Sequence, residues 1–103
     1  MSVVDFHTLQ DKLSDIKKDT LYNNMCKNIK KYRLEKYTEY KKANIHSKIN
    51  PYSSENIAAL LDYNHTHYKR FESANDSTKK MPLEKIYKLS IILDKSIEEL
   101  MEE

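Results

Sequence analysis

Residues 53–73, SSENIAALLDYNHTHYKRFES, predict two short helices joined by a tight turn. Ser53 and Asn64 are residue types that cap helix N-termini, because their side-chain oxygens accept a hydrogen bond from a free backbone N–H. Asp62–Tyr63 lies between them as the predicted turn. Apolar residues at helical spacing then give each helix one buried face: Ile57, Ala58, Leu60 and Leu61 in the first helix, and Tyr68 and Phe71 in the second.

The second of these helices, predicted over residues 64–73, carries many side chains that form hydrogen bonds. Arginine is shaped to grip guanine, and threonine can bond to a base edge or press its methyl group on thymine. A short polar helix that follows a capped helix and a turn is typical of a helix-turn-helix, whose second helix enters the DNA major groove. The polar residues of this helix are Asn64, His65, Thr66, His67, Lys69 and Arg70.

Length and composition limit the alternatives. A chain of 103 residues supports one domain with a modest core. It contains no glycine, which excludes the glycine-rich loops that cradle phosphates and dinucleotides. The single Cys26 cannot form an internal disulfide, and no apolar run approaches the ~20 residues of a membrane span. No signal peptide is evident at the N-terminus, so a cytoplasmic protein is expected.

The residues also give no sign of catalysis. We find no grouping of Ser, His and Asp and no paired carboxylates, so we expect no enzyme activity, cofactor or small-molecule ligand. His65 and His67 are two residues apart and do not share a helix face, whereas zinc-binding pairs are four apart. No metal site is therefore expected. Cys26 is interpreted as a small buried apolar residue.

The net charge of +2 is unevenly distributed. Residues 1–52 hold 11 Lys or Arg against 6 Asp or Glu, and residues 53–103 hold 7 against 10. The first half is therefore basic and the second acidic, which allows nucleic-acid binding through a local basic patch. The lysines of the long helix predicted from Thr20 onwards are weighed evenly as a solvated helix face or a DNA contact.

Near the N-terminus, Phe6, Leu9, Leu13 and Ile16 form one narrow helical stripe, which predicts an accessory helix within residues 1–18. Asp5 is its expected cap. Such a short helix needs a surface to bury against. Packing on its own domain and service as a dimer contact or arm are weighed evenly.

The remaining elements are predicted to be helical as well. A long helix runs from Thr20 to Ala43, capped by Asp19 or Thr20, with Asn44–Tyr52 as a connector. Residues 73–81 form a polar loop that includes Lys79 and Lys80. The next helix follows Pro82, with a core stripe of Leu83, Ile86, Leu89 and Leu93, and a capping box of Ser96 and Glu99 starts the last helix.

The order and spacing of these motifs resemble the phage-repressor and Cro-type (XRE-type) helix-turn-helix family. The matching segments are YSSENIAALLDYNHTHYKRFES, PLEKIYKLSIILDKSIEELM and, in the long helix, NIKKYR, so the resemblance covers roughly the last 80 residues. It implies an all-α, lambda-repressor-like helical bundle over residues 19–103, with an extended first helix and an insertion at about 36–52. It implies a sequence-specific transcriptional regulator of double-stranded DNA, a repressor in the first instance, homodimeric and of phage or mobile-element type.

The resemblance also implies roles for individual residues. Ala58 lets the two motif helices cross closely, Asp62 replaces the family's turn glycine, Tyr68 and Phe71 are core anchors, and Glu72 pairs with Arg33. Candidate base-reading residues are His65, Thr66, Lys69 and Arg70. Candidate phosphate contacts are Arg33, Ser53, Ser54, Asn64, His67, Lys41 and Lys42, and Lys48 lies in the same insertion.

A second function remains open from the sequence. Helix-turn-helix domains also serve as protein-interaction modules, such as antitoxin-like partners or adaptors. The working surfaces would then be the N-terminal helix and the acidic end of the chain, which contains Glu98, Glu99, Glu102 and Glu103.

Overall fold

The computed structural model describes residues 5–73 and 80–103, and these residues are all-helical, as predicted, with no strand among them. None of the described helices combines the length and apolarity needed to cross a bilayer. The helices are α1 (Phe6–Leu13), α2 (Lys18–Ala43), α3 (Ser54–Leu60), α4 (His65–Glu72), α5 (Leu83–Leu93) and α6 (Ile97–Met101).

The long helix α2 is the backbone of the bundle. Its 26 residues span about 39 Å at 1.5 Å per residue. It begins at Lys18, with Lys17 at the N-cap and no capping side chain, so the predicted cap by Asp19 or Thr20 is wrong. Asp19 instead lies inside the first turn, where its negative charge interacts favourably with the helix dipole. The helix ends before Asn44, as predicted, so residues 36–43 of the predicted insertion extend it.

The core forms where α2 meets α4, α5 and α6, and α3 joins it by packing on α4. Two predicted core residues are exceptions: Leu60 is 57% exposed and Leu83 is 71% exposed. Leu60 points away from the side of α3 that carries the buried residues, and Leu83 lies in the first turn of α5, at the edge of the core. The core residues are Met25, Cys26, Ile29, Ile57, Ala58, Leu61, Tyr68, Phe71, Met81, Ile86, Leu89, Leu93 and Leu100.

Two aspartates end helices in the left-handed conformation that glycine usually adopts. Asp62 after α3 has φ 52°, and Asp94 after α5 has φ 55°. In each case the next residue donates its N–H back to the helix: Tyr63 to the Ala58 carbonyl and Lys95 to the Ser90 carbonyl, both at 2.9 Å. These bonds satisfy carbonyls that a helix end leaves free, and they turn the chain sharply.

The last helix is secured at both ends. Ser96 and Glu99 form the predicted capping box at its start. At its other end the Asn28 side chain of α2 donates to the carbonyls of Leu100 at 2.9 Å and Glu102 at 2.6 Å. No local sequence pattern points to Asn28, because the carbonyls it binds lie more than 70 residues away.

The N-terminal helix α1 forms with its predicted cap, since Asp5 accepts a hydrogen bond from the Thr8 N–H at 2.8 Å. No other described helix packs against it. Packing on its own domain is therefore not what the structure shows. Its apolar stripe faces solvent: Phe6 is 73% exposed, Leu9 47%, Leu13 61% and Ile16, just after the helix, 54%.

Candidate nucleic-acid interface

Helices α3 and α4 pack on each other across the turn at residues 61–64. Both predicted N-caps are confirmed. Ser53 Oγ accepts from the Asn56 N–H, and Asn64 Oδ1 accepts from the His67 N–H, each at 3.1 Å. Ala58, 1% exposed, lies in the core cluster that both helices share. Its small side chain is what a close crossing of two helices requires.

Helix α4 has one buried side and one solvent side. Tyr68, Phe71 and Glu72 are buried. On the opposite side Thr66, Lys69 and Arg70 are exposed, and residues three and four apart lie on one face of a helix. The only carboxylate of this helix is on the buried side. The outward face therefore presents a hydroxyl and two cations with no negative charge of its own.

Arg33 and Glu72 fix the orientation of α4, and their predicted pairing is confirmed. Arg33 Nε donates to one carboxylate oxygen of Glu72 at 2.6 Å, and Nη2 donates to the other at 2.9 Å. The remaining Nη1 donates to the Tyr52 carbonyl at 3.1 Å. Burial alone would lower the pKa of Arg33, but the hydrogen bonds and charge of Glu72 raise it, so the guanidinium stays charged.

This geometry corrects the prediction that Arg33 also contacts DNA phosphate. The side chain is 9% exposed, and each of its nitrogens already donates a hydrogen bond inside the protein. Because the guanidinium is buried and held by Glu72 and the Tyr52 carbonyl, it is not placed to contact a phosphate at the surface. The residue is therefore a positioning group.

The Tyr68 hydroxyl lies beside the charges of this pair. It is buried and has no hydrogen-bond partner of normal geometry among the described residues. Burial raises the pKa of Tyr68 far above its usual value, and the negative charge of Glu72 adds to the effect. The phenol thus stays neutral, and Tyr68 serves as the core anchor that was predicted.

His65 differs from the other three predicted base-reading residues. It is half-buried, and its Nε2 is 3.1 Å from Ser54 Oγ, within hydrogen-bonding distance. This contact joins the first turns of α3 and α4, so the two helix starts lie at one edge. Ser54, predicted to contact phosphate, shares its hydroxyl with the histidine.

The basic end of α2 lies beside the same edge. The ring centroids of Tyr40 and Tyr52 are 6.2 Å apart, and Tyr52 directly precedes the α3 cap. Asn50 strengthens this junction by donating to the Tyr37 carbonyl at 3.0 Å and accepting from the Tyr52 N–H at 2.9 Å. The neighbouring lysines, all exposed, are Lys41, Lys42 and Lys48. Lys79 lies outside the described residues.

A further contact that the sequence did not indicate holds the turn between α3 and α4. Lys85 Nζ of α5 donates to the Leu61 carbonyl at 2.6 Å and lies 5.8 Å from the centre of the Tyr63 ring. A cation at the C-terminal end of α3 is favoured by the helix dipole. No local pattern points to Lys85, because its partners are more than 20 residues away.

Among the described residues, no cluster of three or more His, Cys, Asp or Glu side chains is arranged to hold a metal ion. Cys26 is buried, as predicted, and burial raises the pKa of its thiol to about 11. No protein-family model, curated protein or solved structure matches the chain. The family resemblance therefore rests on the residues themselves.

Proposed function

We propose that this chain is a sequence-specific binding protein for double-stranded DNA, a transcriptional repressor of the phage-repressor and Cro-type helix-turn-helix class. It is cytoplasmic, acts as a homodimer on an inverted repeat and is not an enzyme. The observation that carries the proposal is the outward face of α4. This face holds Thr66, Lys69 and Arg70 without a carboxylate, on a helix whose other side is bonded into the core through Glu72.

In this proposal α4 lies in the major groove, with its solvent side towards the bases. Arg70 donates two hydrogen bonds to guanine, and Thr66, four residues earlier on the same face, contacts a neighbouring base. Lys69 lies between them on that face. His65 contributes from the edge of the groove, because its ring is shared with Ser54.

The phosphate contacts flank this helix. Ser53 accepts its capping bond through Oγ and keeps its hydroxyl proton for a phosphate oxygen. Asn64 and His67 lie at the start of α4, and Lys41 and Lys42 extend the basic edge at the end of α2. Affinity should therefore fall as salt rises. Glu55, exposed in the first turn of α3, opposes these contacts.

The competing function is a protein-interaction module. The observation that favours it is the exposed apolar face of α1, together with the acidic residues of α6. That observation does not explain why the face of α4 is polar, cationic and directed outward. DNA binding accounts for this face, and the exposed apolar helix is compatible with both functions.

The test begins with genomic fragments selected by the purified protein, followed by titration of a fluorescent duplex that carries the enriched sequence. Arg70→Ala should remove about 1–3 kcal/mol of discrimination against a mismatched guanine. Lys41→Ala should weaken binding to every duplex by a similar factor. It should also reduce the slope of log affinity against log salt concentration by about 1. Lys88→Ala, on the exposed side of α5, is the matched control and should bind as the parent chain does.

Two outcomes would contradict the proposal. The first is that no fragment is enriched and affinity does not change with sequence. The second is that Arg70→Ala and Lys41→Ala both bind exactly as the Lys88→Ala control does. Either result would leave the outward face of α4 without a role in reading DNA.

A further inference from the structure

An apolar groove lies on the side of the bundle formed by α2, α5 and α6. Its volume is about 260 Å³, and every residue that lines it is apolar or tyrosine. Tyr22 and Met25 of α2 form one wall, Ile97 and Met101 of α6 form the other, and Leu83 forms the rim. We refer to this feature as the α2–α5–α6 groove. Leu83 is 71% exposed there, which leaves an uncovered apolar rim.

The same chain carries an apolar helix face that none of its other described helices covers. Phe6, Leu9 and Leu13 project from one side of α1, and no other described helix contacts it. A helix of eight residues is not stable alone in water and depends on a surface to bury against. Among the residues that the structure describes, both an apolar helix face and an apolar groove are therefore exposed.

The charged residues around the groove differ from one side to the other. Lys18 lies one turn before Tyr22, and Lys80 directly precedes the groove residue Met81. The two ammonium groups are close enough that Lys18 lowers the pKa of Lys80, while the nearby carboxylate of Asp19 opposes this effect, so this end of the groove keeps a net positive charge. On the α6 wall, Glu98 is exposed beside Ile97. The start of α1 carries the complementary charge of Asp5, whereas Asp11 and Lys12 balance each other in its last turn.

We infer that two copies of this chain associate by exchanging α1, so that each copy seats its N-terminal helix in the α2–α5–α6 groove of the other. In this arrangement Asp5 faces Lys18 and Lys80 of the second copy. The exchange is a two-fold, self-complementary contact, the commonest symmetry of protein dimers.

A second copy fits better than the chain's own groove. In the single chain α1 contacts no other described helix, and the four-residue link of residues 14–17 leaves it beside the bundle with Lys17 extended, φ −110° and ψ 130°. Exchange between copies covers both surfaces without changing this conformation. Each chain buries one helix in either arrangement, but exchange places both helix–groove contacts in a single interface between the copies. A small interface needs that to approach the ~1,200 Å² typical of specific complexes.

This inference names the surface for the homodimer part of the proposed function and rests on that part alone. Neither surface contains a residue of α3 or α4. Association can therefore be measured without DNA, and its failure would leave DNA binding by α4 untouched.

The test uses the full chain with Phe6→Trp, since the natural sequence contains no tryptophan. Emission and molar mass are followed together through a dilution series. The emission should shift to the blue as the 12.3 kDa chain doubles in mass. Blue-shifted emission at constant monomer mass would show α1 in its own groove, and unshifted emission at constant monomer mass would show no docking. Both outcomes overturn the inference.

Matched substitutions locate the contact. Leu13→Glu and Leu83→Glu each introduce a charge on one of the two surfaces and should lower the association constant about 100-fold or more. Their controls are Thr8→Glu, on another side of α1, and Tyr87→Glu, exposed on α5 outside the groove. All four positions are solvent-exposed in the single chain, so the fold should persist and both controls should remain dimeric.

Mixing provides the strictest criterion. Leu13→Glu has an intact groove and Leu83→Glu has an intact helix, so a mixed dimer keeps one sound contact and should form more readily than either variant with itself. If Leu13→Glu abolishes association and Leu83→Glu does not, the dimer forms through α1 without the groove. That result would overturn the exchange.

Discussion

Helices α1 and α4 are the same length and begin in the same way, yet they stand in opposite relation to the rest of the molecule. Each has eight residues, and each starts with a side-chain oxygen bonded to the backbone N–H three residues later. Helix α4 buries Tyr68, Phe71 and Glu72. Helix α1 buries nothing. The comparison shows that an amphipathic pattern predicts a face in need of cover without saying what covers it.

Within the described parts of the chain, α4 has a side-chain bond to a distant residue and α1 has none. Glu72 pairs with Arg33 across 39 residues of sequence, in a buried site. This pair makes the position of α4 a property of the whole bundle, whereas the position of α1 depends on a four-residue link. Three experiments can break or sharpen this contrast.

The largest effect is expected from Glu72→Ala. The substitution leaves the Arg33 guanidinium buried without its partner, which typically costs about 3–5 kcal/mol of unfolding free energy. Urea denaturation of the purified chain measures this change. The control is the double variant Arg33→Leu with Glu72→Leu, which buries no unpaired charge and should recover much of the loss. If the single and double variants unfold at the same urea concentration, the pair does not hold α4.

A smaller effect should separate the two caps. Asn64→Ala removes the cap of α4 and should lower the free energy of unfolding by about 1 kcal/mol. Asp5→Ala removes the cap of α1 and should leave the unfolding of the bundle unchanged, because α1 contacts no other described helix. Helicity measured by circular dichroism at low protein concentration should still fall. Equal losses of global stability would show that α1 is packed on the bundle.

The smallest effect is a local response of α1 to acid. The hydrogen bond from the Thr8 N–H lowers the pKa of Asp5 below its ordinary 3.8. A lowered pKa means that the cap is intact above pH 3.8 and is lost as pH falls through the lower folded value. The amide shift of Thr8, followed by NMR during acid titration, reports this. Asp5→Asn keeps a capping oxygen that does not titrate, and its Thr8 amide should stay constant over the same range. If the chemical shift of the Thr8 amide also stays constant in the parent chain, the carboxylate cap is absent.

Caps and periodic apolar positions could be predicted from the sequence, because both depend on residues within a turn or two. Ser53, Asn64 and Ser96 cap as expected, and Tyr68 and Phe71 anchor as expected. The Arg33–Glu72 pair is a long-range contact that was also predicted, since the family resemblance supplied it.

Contacts that depend on the packing of distant helices could not be predicted. Asn28 and Lys85 bind backbone carbonyls at the ends of other helices, and nothing in their local sequence distinguishes them from solvated polar residues. The same limit explains why Leu83 was expected in the core, since only the packed bundle shows where the core ends. The hydrogen bond between His65 and Ser54 likewise depends on how α3 crosses α4.

The two left-handed aspartates also affect the unfolded chain. A left-handed position costs an ordinary L-residue about 1–2 kcal/mol, and aspartate less, so Asp62 and Asp94 store some strain in the folded state. Glycine would remove that strain, but each glycine would add backbone freedom to the denatured ensemble, worth about 0.4–1 kcal/mol. A chain without glycine has fewer conformations to give up when it folds. The sharp turn into α4 therefore carries a small strain in the native state. The reduced backbone freedom of the unfolded chain largely offsets its free-energy cost.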